Sequence, residues 1–271
     1  MIFMIIKEVK CKSLLNKSFL ADYCINCYIG CQHACVYCYA DYITKKFSGH
    51  KEAWGEFVDV KINAPQILIR EVNRKKRGSV FVSSLTDPYQ PLEKKYELTR
   101  KCLEILLRNN FSIWVQTKSF LVTRDVDLFK KFREKCEIVF TITTLNENVR
   151  KIFEPFSSSV KEKIEAIKIL KENKIKTFVF FGPVLPFLSD ENLEEYIKTF
   201  SELEIDGLWI DKLNLKPGIW EKIEKVLEKN YPELIGKWKE VLFYKSNYYD
   251  KIKEKIKLIC EKENLKYIFC Y

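Results

Sequence analysis

The sequence predicts an α/β fold, a partial (β/α)6 TIM-type barrel with a C-terminal helical extension. Short apolar strands alternate with amphipathic helices over residues 25–210, an order typical of parallel βαβ units. Six strands and five clear intervening helices do not complete an eightfold pattern, so a partial barrel is favoured. The 271-residue length suits one α/β barrel, and the 47% hydrophobic content allows a substantial core.

The six predicted strands are short runs of apolar residues. The first feeds a cysteine-rich loop, and the fifth stops at Gly182-Pro183. Such runs, bounded by turn residues, are typical of buried strands. An apolar run over residues 1–6 predicts a further strand and not a signal peptide, because it lacks a charged n-region and a cleavage site. The six strands are predicted at 25–28, 79–83, 112–117, 137–143, 177–181 and 207–210.

The predicted helices carry an apolar stripe at helical spacing. In the second of them, Leu98, Cys102 and Leu106 recur at i, i+4 and i+8. Asn63 is the expected N-cap of the first, which has a proline in its first turn. The helices are predicted at 64–77, 98–110, 125–135, 160–173 and 192–203.

The chain divides into a core of residues 1–214 and a C-terminal extension of residues 215–271. The extension follows the sixth strand, looks mostly helical and is rich in aromatic residues. We expect it to pack on the core and close the open side of the barrel.

The net charge and the hydropathy of the sequence limit the kinds of partner that the protein can bind. The net charge of +10 is compatible with phosphate neutralisation by a nucleic-acid partner but does not require one. No apolar stretch is long enough to span a bilayer, so we expect no membrane association and a cytoplasmic location. Ten cysteines in a reducing compartment favour metal binding over disulfides.

Three closely spaced cysteines carry most of the functional information. Cys31, Cys35 and Cys38 form a Cys-x3-Cys-x2-Cys motif, with Tyr37 directly before the third cysteine. Cysteine thiolates are the soft ligands that iron–sulfur clusters need. Three of them can hold three irons of a [4Fe–4S] cube and leave the fourth iron open to a substrate or cofactor.

Two other uses of the cysteines stay open. A structural zinc site needs four ligands, which His33 or the nearby pair Cys24 and Cys27 could complete. A disulfide framework suits small secreted domains better than a chain of this length.

The wider sequence resembles the radical S-adenosylmethionine (radical SAM) enzymes, and among them the spore photoproduct lyase-like family. In that family the open iron binds the amino and carboxylate groups of SAM, and an electron from the cluster releases a 5′-deoxyadenosyl radical. The resemblance implies a [4Fe–4S] cluster and SAM as cofactors, an external electron donor, and a site at the C-terminal ends of the barrel strands. Besides the cysteine motif, it covers residues 83–93, 117–119, 141–145 and 182–186 in order.

The resemblance also implies contacts to SAM. Lys118 can offer its ammonium group to the SAM carboxylate, and Tyr37 occupies the place where family members contact the adenine. Hydroxyl groups come from Ser83, Ser84 and Thr143. The two serines could instead satisfy loop amides.

Three further residues have more than one interpretation. Asp87 belongs to a Thr-Asp-Pro turn, where it either bonds to backbone amides or contacts SAM or substrate. His33 is expected to order the cysteine loop. Cys27 stands where related sequences more often have proline, and we interpret it as an inert buried thiol, although a ligand or a redox thiol stays open.

The leading functional hypothesis is a radical SAM enzyme that abstracts hydrogen from an unidentified macromolecular substrate. Nucleic acid is slightly favoured over protein or peptide, by the basic charge and the lysine-rich, aromatic C-terminal extension. The alternative is a nucleic-acid-binding protein with a structural iron–sulfur or zinc site. Formation of 5′-deoxyadenosine by the reduced protein distinguishes the two.

Overall fold

The computed structural model describes residues 4–271, so the first half of the strand predicted at residues 1–6 lies outside the described residues. The strands are β1 Ile5–Val9, β2 Asn16–Lys17, β3 Tyr23–Ile25, β4 Tyr28–Ile29, β5 Phe57–Lys61, β6 Ser79–Val82, β7 Ser112–Thr117, β8 Cys136–Thr141, β9 Lys176–Val184, β10 Gly207–Lys212 and β11 Tyr267–Phe269. The helices are α1 Tyr39–Ser48, α2 Ala64–Val72, α3 Glu93–Tyr96, α4 Leu98–Arg108, α5 Val126–Lys131, α6 Glu147–Phe153, α7 Val160–Glu172, α8 Leu193–Glu202, α9 Ile219–Asn230, α10 Ile235–Phe243 and α11 Tyr248–Lys262.

The main sheet has the strand order β11-β10-β9-β8-β7-β6-β3-β2. All neighbouring pairs are parallel except β2 and β3, so the carboxyl ends of β3 and β6 to β11 lie along one edge. This mixed architecture with a parallel sheet confirms the α/β part of the predicted fold class. Within residues 4–271, no pairing joins the two end strands.

The first predicted strand is divided between two sheets. β3 belongs to the main sheet, whereas β4 pairs with β5 in a small sheet of order β1-β5-β4. Asn26 lies at the break, where its Oδ1 accepts from Leu85 N at 2.9 Å and its carbonyl accepts from Lys61 Nζ at 2.8 Å. The break turns the chain out of the main sheet directly before the cysteine loop.

The core lies between the parallel strands and the helices that join them. Strand residues such as Val82, Val115 and Phe140 are fully buried, as a sheet covered by helices requires. The predicted helix at 125–135 is shorter than expected, because 3-10 turns flank α5 on both sides. Helices α1 and α6 were not predicted.

The C-terminal residues join both the sheet and the helical layer. After α9, α10 and α11 the chain returns as β11, parallel to β10, a strand that was not predicted. Trp238 of α10 is buried and stacks on Phe153 with ring centroids 6.0 Å apart. Both rings belong to an apolar cluster that contains Cys35 and Tyr37, so α9 and α10 pack behind the cysteine loop, whereas α11 packs on the main core.

Residues 4–271 contain no helix that is both long enough and apolar enough to cross a bilayer.

Candidate active site at the cysteine loop

The cysteine loop, residues 30–38, connects β4 to α1. Gly30 has φ +89°, and a Cβ at this position would come within 2.3 Å of the Phe57 carbonyl oxygen, so only glycine fits. Two short turns follow, in which Ala34 N donates to Cys31 O at 3.4 Å and Cys38 N donates to Cys35 O at 3.2 Å. The loop therefore has a defined backbone before any ligand is considered.

All three cysteines of the motif line one cavity of about 110 Å³, here called the cysteine cavity. Cys31 and Cys35 are buried, and Cys38 is half-buried. Burial raises the pKa of Cys31 to about 12 and also raises the pKa values of the other two thiols. Thiolates at this place therefore need a cation, because an apolar surrounding disfavours their charge.

Lys118 supplies positive charge at the same cavity. It directly follows β7, and its backbone N donates to Asp87 Oδ2 at 2.8 Å. Burial alone would lower the pKa of Lys118, but the charges of Cys35, Glu154 and Asp87 outweigh this and raise it. Lys118 therefore stays protonated, and its ammonium lies 5.9 Å from the centre of the Tyr37 ring.

The predicted serines also line the cysteine cavity. Ser83 has φ +71°, and its Oγ is buried without a hydrogen-bond partner in the described part of the chain, residues 4–271. Ser84 Oγ accepts from Asn26 Nδ2 at 3.2 Å, and its carbonyl accepts from Tyr39 OH at 2.6 Å. The Ser83 hydroxyl is thus unpaired within residues 4–271, whereas the Ser84 hydroxyl bonds to Asn26.

Asp87 anchors the turn after β6. Its carboxylate accepts from Tyr89 N and Thr117 Oγ1, at 2.8 and 2.7 Å, besides Lys118 N, which confirms the turn interpretation. Buried His33 lies with Nδ1 3.3 Å from Asp87 Oδ2, an ion-pair distance. Burial would raise the pKa of Asp87, but His33 and these hydrogen bonds lower it to about 2.

Tyr37 and Thr143 meet at a residue that was not predicted. Their hydroxyls both donate to Glu154 Oε1, Thr143 at 2.9 Å. Thr143 is buried and lines neither the cysteine cavity nor the adjoining cavity that Tyr37 lines. Glu154 Oε2 accepts from Lys163 Nζ at 2.8 Å and Ser157 Oγ at 3.1 Å.

A second cavity of about 140 Å³, here called the side cavity, adjoins the first. The two share Cys38, Tyr39, Gln116, Lys118 and Thr141. Its remaining wall comes from the cysteine loop, from the carboxyl ends of β9 and β10 and from the residues after β10. It is part apolar and part polar: Tyr37, Phe180, Gly182, Pro183, Asp211, Lys212, Leu213 and Asn214. Together the two cavities suit a ligand with a charged end and a ring.

The other predicted cysteines lie away from the motif. Cys27 is buried, with its Sγ 3.7 Å from the Sγ of Cys102 on α4, and both belong to the main apolar core. Cys24 is half-buried in β3. None of these three lines the cysteine cavity.

Three residues of the site were missed. Lys163 is buried and lies three residues after Val160, on the buried face of α7. This helical spacing can be read from the sequence and could have identified Lys163 as a buried lysine. Ile164, the next residue, is only partly buried. Glu154 and Trp54 have no local signal, since their burial depends on the cysteine loop.

The donor set fits an iron–sulfur cluster with a polar ligand. Three thiols line one cavity, and each thiolate of a [4Fe–4S] cube binds a different iron, so the sulfurs need not converge on one point. Two buried polar atoms among the cavity residues, Trp54 Nε1 and Ser83 Oγ, have no hydrogen-bond partner within residues 4–271. A bound group at this place could satisfy them.

Comparisons with known proteins show sequence relatives and structures of the same fold. An uncharacterized protein of Methanocaldococcus jannaschii is 39% identical over 228 residues, which are 83% of each chain. A spore photoproduct lyase complexed with dinucleoside spore photoproduct shares the fold, with a TM-score of 0.71 at 17% identity over 98% of this chain and 82% of that chain. A double mutant of that lyase, with bound AdoMet and dinucleoside spore photoproduct, has a TM-score of 0.73 at 15% identity, over 99% and 82%.

The sequence profile of the Radical SAM superfamily matches residues 25–200, which include the cysteine loop and the strands β6 to β9. This chain belongs to the Radical SAM superfamily.

Proposed function

We propose that Cys31, Cys35 and Cys38 hold a [4Fe–4S] cluster and that the chain is a radical SAM enzyme of the spore photoproduct lyase-like type. Radical SAM proteins use this cluster and SAM as cofactors. The main observation in support is that all three cysteines and Lys118 line one cavity at the carboxyl ends of parallel strands. When bound, the cluster and SAM supply a one-electron cleavage that yields a 5′-deoxyadenosyl radical.

Residues of the two cavities contact different parts of the SAM molecule. Lys118 binds the carboxylate, because its protonated ammonium lines the cysteine cavity. Ser83 and Ser84 offer hydroxyls from the same cavity. Tyr37 contacts the adenine in the side cavity, and Thr143 supports it through Glu154.

The architecture suits a partial (β/α)6 barrel. Its strands would be β3 and β6 to β10 in sequential order, with β11 added at the far edge. We infer that residues 1–214 are the radical SAM core and that residues 215–271 are an extension, of which α9 and α10 pack behind the cysteine loop. An external electron donor completes the system, and we place the enzyme in the cytoplasm.

The substrate that we favour is a nucleic acid. Support comes from the net charge of +10 and from the structurally similar lyase, whose bound ligand is a dinucleoside spore photoproduct. Because a shared cofactor site does not define a substrate, this inference needs its own test.

The cluster assignment is tested by replacing the three motif cysteines with alanine. The triple variant should lose its iron and its charge-transfer absorbance after anaerobic reconstitution. Cys24→Ala, outside the cavity, is the matched control and should keep both. Full iron content in the triple variant would refute the assignment. The reduced wild type should also form 5′-deoxyadenosine from SAM, which a structural cluster would not do.

The role of Lys118 is tested by Lys118→Ala. A charge-assisted hydrogen bond contributes about 1.5–3 kcal/mol, so SAM should bind roughly one to two decades more weakly. Calorimetry on the reconstituted protein measures this, with exposed Lys94→Ala as the control. An unchanged affinity would remove Lys118 from the SAM site.

The substrate class is tested by titrating labelled single- and double-stranded DNA and RNA at two salt concentrations. If phosphates are neutralised, log affinity should fall with log salt with a slope of about −0.7 to −0.9 per contact. Binding that is absent at low salt, or unaffected by salt, would exclude nucleic acid.

A further inference from the structure

Glu154 is a buried carboxylate to which the proposed function assigns no direct role. It follows α6 and is fully buried, with Arg150 Nη1 donating to its carbonyl at 3.0 Å. The same segment touches the cysteine loop through its backbone: Val36 N donates to Phe153 O at 2.9 Å. Glu154 is therefore held rigidly beside the loop.

The two carboxylate oxygens face different partners. Oε1 accepts from Tyr37 of the cysteine loop and from Thr143 after β8. Oε2 accepts from Lys163 of α7 and from Ser157 in the loop before that helix. Lys163 compensates the negative charge, and Oε1 remains an acceptor for the residues of the site.

In this arrangement the single hydroxyl proton of Tyr37 is used in the hydrogen bond to Glu154. A phenol donates one hydrogen bond, and that bond goes to Glu154. Tyr37 is one of the residues that line the side cavity, and because its hydroxyl proton goes to Glu154, we infer that the ring is what it offers to a ligand there. The ring lies beside the ammonium of Lys118, so its orientation matters at the junction of both cavities.

We propose that Glu154 is a positioning residue for the nucleoside half of SAM: it holds Tyr37 so that the ring forms a fixed wall of the side cavity. The inference rests on the proposed function. Glu154 acts through Tyr37 and leaves the amino-acid half, at Lys118 and the cysteine cavity, to other groups.

The experiment compares two ligands of the reconstituted protein. SAM carries the nucleoside, whereas L-methionine carries the same amino and carboxylate groups without it. Tyr37→Phe removes only the hydroxyl that Glu154 holds. The double variant E154M/K163M removes both charges of the buried pair at similar volume, a replacement that proteins often tolerate. Glu147→Gln on α6, whose carboxylate bonds Arg150, is the control.

Tyr37→Phe and E154M/K163M should each lose roughly tenfold more affinity for SAM than for methionine. Combining them should cost no more than either alone, because both break the same interaction. Glu147→Gln should bind both ligands like the wild type. Tyr37→Phe keeps the test valid if the double variant fails to fold.

Equal losses for the two ligands, no loss for SAM, or additive losses would overturn the positioning role. If the wild type binds neither SAM nor methionine, the proposed function itself fails, an outcome distinct from the other three.

Discussion

Asp87 and Glu154 are two buried carboxylates that each contact the cysteine loop, one through His33 and the other through Tyr37. Asp87 accepts hydrogen bonds from three neutral donors, in its own turn and at the end of β7, and also lies beside His33. Glu154 instead forms an ion pair with Lys163, whose side chain is 1% exposed.

The difference shows two ways to keep a charge buried near a cofactor site. Several backbone and hydroxyl donors can replace water around Asp87, as in a turn. Glu154 accepts hydrogen bonds from three hydroxyls and from one cation, so its stability depends on a partner from another helix. We expect the loss of one partner to cost more at Glu154 than at Asp87.

The largest effect is expected from Lys163→Met. It leaves Glu154 without its ion-pair partner, which should destabilise the apoprotein by about 3–5 kcal/mol. The double variant E154M/K163M should recover much of this loss. Urea unfolding measures both, and Lys176→Met, in the exposed pair with Glu137, should cost under about 1 kcal/mol. A double variant less stable than Lys163→Met would contradict the ion-pair account.

The pH dependence of stability should also reveal the ion pair between Glu154 and Lys163. Burial would raise the pKa of Glu154, but Lys163 and Lys118 outweigh it and lower the pKa from 4.5 to about 2. Because the folded pKa is lowered, the stabilisation is complete above about pH 4.5 and is lost as the pH falls toward 2. The difference corresponds to about 3 kcal/mol.

Unfolding of the apoprotein at pH 7 and pH 3 tests this prediction. The wild type should lose more stability between these pH values than E154M/K163M, which lacks the carboxylate. Equal pH dependence in the two proteins would show that Glu154 does not titrate as described.

Asp87→Asn should have a smaller effect. Asparagine keeps one acceptor oxygen but places an amide donor against other donors, so one or more of the three bonds is lost. A cost of about 1–3 kcal/mol is expected for a buried unsatisfied group. Asp127→Asn, whose side chain is 65% exposed, is the control and should cost about 1 kcal/mol or less. A loss as large as that of Lys163→Met would remove the contrast between the two carboxylates.

The smallest effect should come from Ser159→Ala at the start of α7, the helix that carries Lys163. Ser159 Oγ accepts from Glu162 N at 3.2 Å, and Glu162 Oε2 accepts from Ser159 N at 2.7 Å, a capping box. Losing the cap should cost about 1 kcal/mol in urea unfolding, while Ser159→Asn should retain most of the stability. Equal losses in both variants would indicate that the cap is not the cause.

Much of the fold was predictable because its signals are local. Alternating apolar strands and striped helices lie within short stretches of chain, so five of the six predicted strands agree with β6 to β10 to within a few residues. The first strand was divided by the Asn26 turn, whose hydrogen bonds reach residues 35 and 59 positions away. β11 was missed because it is short and depends on β10 for pairing.

The sequence by itself determined the family and the place of the cysteine motif after the first strand, since a nine-residue loop contains the three thiols. Only the tertiary structure decided how that loop is held. Tyr37 and Glu154 are 117 positions apart, and Lys163 reaches them from a third segment. A buried carboxylate is stable only where its donors converge, and that convergence depends on how the strands and helices pack, which no local pattern records.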